Sequence, residues 1–157
     1  MATFYTGNTG RSRGPHLDFR VWDVEKGKYI DPTRFTSAIS SRGKGIDQFT
    51  MTSPYGKDRG SYIHKGVDYA TEIGTPIDVK GTFLGTFNDP GGGITSQYAY
   101  KDEDGRAYDL LLMHGREGTE TTMDAARTDF DYSTIGVDTP SPSEGLDPTA
   151  DPLGTRK

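Results

Sequence analysis

Apolar and polar residues alternate along the chain in short runs and show no sustained helical spacing. From residue 16 to 21, His16, Asp18 and Arg20 fall on one side of an extended backbone and Leu17, Phe19 and Val21 on the other. Val24 to Lys28 reads as a hairpin turn, with Tyr29-Ile30 as a short return strand. Residues Ile77 to Phe87 alternate as successive strands, and Asp89-Pro90-Gly91-Gly92-Gly93 is loop chemistry. Thr95 to Tyr100 and Ala107 to Met113 frame the acidic turn Asp102-Glu103-Asp104-Gly105 and predict a further hairpin. Residues 36–48 are Ser-, Gly- and Lys-rich without hydrophobic period, and read as a linker. The pattern predicts an all-β fold, an antiparallel β-sheet or sandwich.

Composition sharpens this picture. The 157 residues include 21 glycines, which suits many tight turns, and they suffice for one domain with one core. The formal net charge of −5 argues against a nucleic-acid partner. No apolar run approaches the roughly 20 residues that cross a bilayer, so no membrane insertion is expected. Met1 to Gly7 has neither a basic nor an apolar leader region, so no secretory signal is expected. With no cysteine, disulfides and thiolate metal sites are excluded. Residues 137–157 hold four prolines and four acidic residues among few apolar ones, which predicts an extended tail after a domain spanning 1–136.

The candidate chemistry centres on His64 and Asp68. Gly66, Val67, Tyr69 and the Gly74-Thr75-Pro76 turn disfavour a helix, so a strand end would place both side chains on the same side of the backbone. Imidazole nitrogen and carboxylate oxygen are good zinc ligands, and a catalytic zinc takes three protein ligands. Alone, such a pair is an ordinary surface motif. His16 to Val21 alone is an ordinary half-buried strand, and His114, after the apolar run Leu110 to Met113, is an ordinary strand-end histidine.

Together these segments resemble the lysostaphin-like zinc metallopeptidases, a family of peptidoglycan endopeptidases. Thr50 to Arg59 followed by His64-x-Gly66-x-Asp68-x-Ala70 and Gly74-Thr75-Pro76 resembles the family's opening block, in which the His and Asp are zinc ligands. Gly7-Asn8-Thr9-Gly10-x-Ser12-x-Gly14-Pro15-His16-x-Asp18-Phe19 resembles its closing block. Tyr29-Ile30-Asp31-Pro32 resembles the short strand and Asp-Pro ending that follow it. His114 falls on a third block, where a histidine lines the site. The resemblance covers roughly residues 5–35 and 49–116.

Two departures stand out. The closing block comes first in this chain, which implies a circular permutation in which residues 36–48 join the old ends. Thr121 to Gly136 would then supply the strands that normally precede the closing block. The second departure is Asp18, which stands where the family has its third ligand, a histidine. The resemblance implies zinc held by His64, Asp68 and Asp18, with His114 as the base and His16 orienting or stabilising the oxyanion. Asp for His would take the site from net +1 to net 0, weakening zinc as a Lewis acid. Asp also reaches less far than an imidazole, so its strand must sit closer. The expected outcomes are an active enzyme, a slow metal-binding one, or a retired scaffold.

The implied function is a zinc-dependent endopeptidase that cuts peptide cross-links of bacterial peptidoglycan. Without a leader, it would reach the wall on a bacteriophage tail or act from the host cytoplasm at lysis. Residues 137–157 would attach it to other virion or tail proteins. The alternative is a catalytically degenerate structural or adaptor protein of a phage virion.

Overall fold

A computed structural model describes residues 2–136. The expected tail, 137–157, lies outside the described residues. Among the described residues, eleven strands form two sheets in which every pairing is antiparallel. They are β1 (Ala2–Tyr5), β2 (His16–Asp23), β3 (Lys28–Ile30), β4 (Ile39–Ser41), β5 (Lys44–Gly45), β6 (Met51–Ser53), β7 (Val67–Ala70), β8 (Pro76–Val79), β9 (Thr82–Asp89), β10 (Gly93–Lys101) and β11 (Ala107–Met113).

The larger sheet runs β6-β7-β2-β11-β10-β9, and the smaller β1-β8-β4-β5. β3 pairs with the far end of β2, so β7 and β3 share one edge of that strand in succession. The alternation of β2 explains its central place. Leu17, Phe19 and Val21 are fully buried against Tyr98, Tyr108, Leu110 and Leu112 of the same sheet and Phe4, Ile39, Ile77 and Val79 of the smaller one. One apolar core therefore lies between two sheets, the sandwich arrangement. The opposite face of β2 carries His16, Asp18 and Arg20 clear of that core.

Two segments differ from the sequence-based expectation. Residues 36–48 are no mere linker: they hold β4, β5 and the 3-10 turn Ile46–Gln48, and bury Ala38, Ile39 and Ile46 in the core. Their apolar positions come from several very short elements, so no single period runs through them. Thr121 to Gly136 supplies no strand, only the 3-10 turn Tyr132–Thr134. It is fastened to the sheet by individual bonds. The Thr122 and Met123 amides donate to the Thr86 carbonyl, and Gln97 pairs with the backbone of Arg127 through both amide atoms. No helix among the described residues is long and apolar enough to cross a membrane.

Candidate metal centre

β2 and β7 pair with Asp18 directly opposite Asp68. Both carboxylates rise from the face away from the core, and both are buried. His64 lies in the loop just before β7, not on the strand itself, and its imidazole is fully buried between them. His64 Nε2 is 3.4 Å from Asp18 Oδ2 and 3.3 Å from Asp68 Oδ1. The potential ligand atoms of all three residues lie within 4.8 Å of one another.

The approach depends on Gly66. A Cβ there would lie 2.4 Å from Asp18 Oδ1, 2.6 Å from Arg20 Cγ and 2.8 Å from the Phe19 carbonyl oxygen. Only a hydrogen lets the chain leading into β7 press against β2. This close approach leaves Asp18 Oδ2 within 3.4 Å of His64 Nε2.

The donor set fits a small divalent cation. Asp68 Oδ1 is buried and has no hydrogen-bond partner. His64 Nδ1 lies 3.3 Å from the Pro54 carbonyl, which can only accept, and 3.2 Å from Ser53 Oγ. A proton on Nδ1 leaves the Nε2 lone pair facing two carboxylate oxygens, which is unfavourable unless a cation joins them. A tetrahedral zinc with bonds near 2.0–2.1 Å sets its ligand atoms roughly 3.3–3.4 Å apart. The two separations around His64 Nε2 match that edge. Asp18, His64 and Asp68 can thus hold a metal ion whose identity they leave open among zinc and related divalent cations.

Without metal, a proton takes the ion's place. Burial alone would lower the His64 pKa, but its close contacts with the Asp18 and Asp68 carboxylates outweigh that and raise it to about 9. Burial would raise the Asp18 pKa, but bonds from His64 and Arg20 hold it far below the ordinary carboxylate range.

His16 and His114 flank the cluster, with ring centroids 4.4 Å apart. The Gly7–Pro15 loop brings them together. The Arg11 amide donates to the Gly91 carbonyl, and Thr9 Oγ1 accepts from the Ile94 amide while donating to the Gly115 carbonyl. His16 Nδ1 donates to the Gly14 carbonyl at 2.8 Å, and His114 Nδ1 to the Thr9 carbonyl at 2.7 Å. Each ring therefore keeps Nε2 available, and His16 Nε2 lies 3.9 Å from Asp68 Oδ2. Burial lowers the pKa of His114 despite the bond to Thr9, and neighbouring His16 adds to the lowering. His114 also adopts a left-handed backbone, φ 61°. That conformation costs roughly 1–2 kcal/mol in most side chains, and histidine tolerates it better than most.

All five residues singled out from the sequence lie in this one region. Two arginines were missed. Arg20 grips Asp18 with both arms, Nε to Oδ1 and Nη2 to Oδ2, each at 3.0 Å. Arg59 donates from Nη2 to Asp68 Oδ2 at 2.9 Å and to Ser53 Oγ at 2.6 Å, which ties Asp68 to the serine beside His64. Arg20 was findable, since it shares a face of β2 with Asp18. Arg59 arrives through a loop, and no local pattern marks it. In comparisons with family models, curated proteins and solved structures, nothing matches this chain.

Proposed function

We propose that this protein is a zinc-dependent endopeptidase acting on the peptide cross-links of bacterial peptidoglycan, carried to the wall on a bacteriophage tail. The observation that carries the hydrolytic part is the pairing of a three-ligand cluster with two imidazoles whose Nδ1 atoms are tied to backbone carbonyls. The peptidoglycan substrate rests on the resemblance of the His64–Asp68 and Gly7–Phe19 blocks. The tail location rests on the composition of residues 137–157.

Zinc held by Asp18, His64 and Asp68 would supply a Lewis acid that polarises a peptide carbonyl and acidifies water. His114, neutral near pH 7 because burial lowers its pKa, would accept a proton at Nε2. His16, held by its Nδ1 bond to the Gly14 carbonyl, would help to orient the substrate or stabilise the developing oxyanion. Arg59 and Ser53 would keep His64 and Asp68 from turning away.

One observation favours the scaffold reading. Asp18 and Asp68 each already have a guanidinium partner, so their charges are compensated without an ion. Elemental analysis of the purified chain, paired with release of peptides from purified cell-wall sacculi, separates the readings. About one zinc per chain and peptide release, both lost in His64→Ala, supports the peptidase. Folded protein that takes up no zinc supports the scaffold. Deleting residues 137–157 should leave hydrolysis intact and abolish incorporation into particles; normal incorporation would remove the tail assignment.

A further inference from the structure

We infer that Arg20 is a positioning residue that makes Asp18 behave as a charge-neutral metal ligand, and so offsets the replacement of an imidazole by a carboxylate. This rests on the metal-dependent reading above and concerns how this chain's own residues tune that site.

Asp18 is almost wholly buried, and Arg20 binds both of its oxygens in a fork-to-fork pair. Such pairs are the strong, geometrically defined kind. The fork uses one lone pair on each oxygen, and Oδ2 still faces His64 Nε2 at 3.4 Å. The carboxylate can therefore serve the guanidinium and a cation together. Counted as a unit, Asp18 with Arg20 has no net charge, as a neutral imidazole has none.

The arginine is itself held. Its side chain is about one-fifth exposed, its guanidinium carbon lies 5.8 Å from the Tyr29 ring centre, and its Cγ closes on the Gly66 backbone. Tyr29 belongs to β3, so the hairpin after β2 buttresses the pair. Two residues apart on one strand, Asp18 and Arg20 share a face by parity alone, and no rearrangement is needed to join them.

The charge argument gives a test with opposite signs. Removing Arg20 leaves the full negative charge of Asp18 on the ion. Zinc should then bind more tightly while its Lewis acidity falls. A purely structural role predicts that binding and turnover weaken together.

Zinc affinity of the full chain would be measured by competition with a chromogenic chelator at fixed pH. The proteins would be wild type, Arg20→Gln and Arg20→Lys, with thermal unfolding of each as a check on folding. We expect Arg20→Gln to bind zinc at least about tenfold more tightly than wild type, and to release wall peptides more slowly. Arg20→Lys, which keeps the charge without the fork, should bind within a few-fold of wild type. Wild type binding zinc while folded Arg20→Gln binds it equally or less well would overturn the inference and leave the peptidase reading standing. Zinc bound only by Arg20→Gln would show that the guanidinium displaces the ion, overturning both. No zinc on any of the three would overturn the metal site itself.

Discussion

Asp18 and Asp68 face each other across adjacent antiparallel strands, a pairing of like charges that a sheet ordinarily avoids. It is tolerated because Arg20, Arg59 and His64 converge on the two carboxylates, and because Gly66 admits them all into one small space. Gly66→Ala tests that packing. Its Cβ would meet the Phe19 carbonyl as well as the Asp18 and Arg20 side chains, and the backbone oxygen cannot swing aside. The variant should lose roughly 1–3 kcal/mol by chemical denaturation and its zinc binding with it. Unchanged affinity would mean that the strands have more slack than the contacts imply.

Proton and metal compete for His64, which fixes the sign of a pH dependence. With its pKa raised from 6.5 to about 9 in the metal-free protein, His64 contributes stability that is complete below pH 6.5. That contribution fades as pH rises through 9. Thermal unfolding in chelator should therefore show falling stability across this window, and His64→Ala should flatten it. Zinc must expel the same proton, so affinity should rise by up to about tenfold per pH unit from 6.5 towards 9. Titrations at three pH values in that range would show whether it does.

His114 combines a left-handed backbone conformation with a bond from its imidazole to the Thr9 carbonyl. Glycine would relax the backbone while forfeiting the bond to Thr9. His114→Gly should unfold within about 1 kcal/mol of wild type, because these two effects oppose each other. Peptide release should nevertheless fall by about 10²-fold or more, as expected for loss of a general base. Equal hydrolysis by the two proteins would remove His114 from the proton-transfer role.

Asp109 offers a pH signature at a distance from the metal cluster. It lies on β11 opposite Trp22, accepts from Gln97 and Tyr132, and is buried. Burial pushes its pKa from 3.8 up to about 7, against the bond from Gln97. The folded chain thus holds this proton more tightly than the unfolded one. Stability from Asp109 is complete below pH 3.8 and drains away as pH rises through 7. Between pH 5 and 7 wild type should lose several degrees of Tm that Asp109→Asn does not lose. Parallel melting curves for the two proteins would contradict the assignment.

Strand parity was legible in the sequence because it is local. The two-residue period placed Leu17, Phe19 and Val21 in the core and His16, Asp18 and Arg20 on the other face, whatever the neighbours of β2 proved to be. Turn chemistry likewise marked the hairpins around Gly27 and Gly105. The sequence by itself thus determined the all-β class, the faces of β2 and the residues able to ligate a metal. Only the tertiary structure decided the register that sets Asp18 opposite Asp68, the seating of Arg59 on a residue nine positions away, and the place of residues 36–48 within the smaller sheet. Register depends on which strands meet and on a clearance such as that at Gly66, and charge partners meet through space. Neither leaves a periodic trace along the chain.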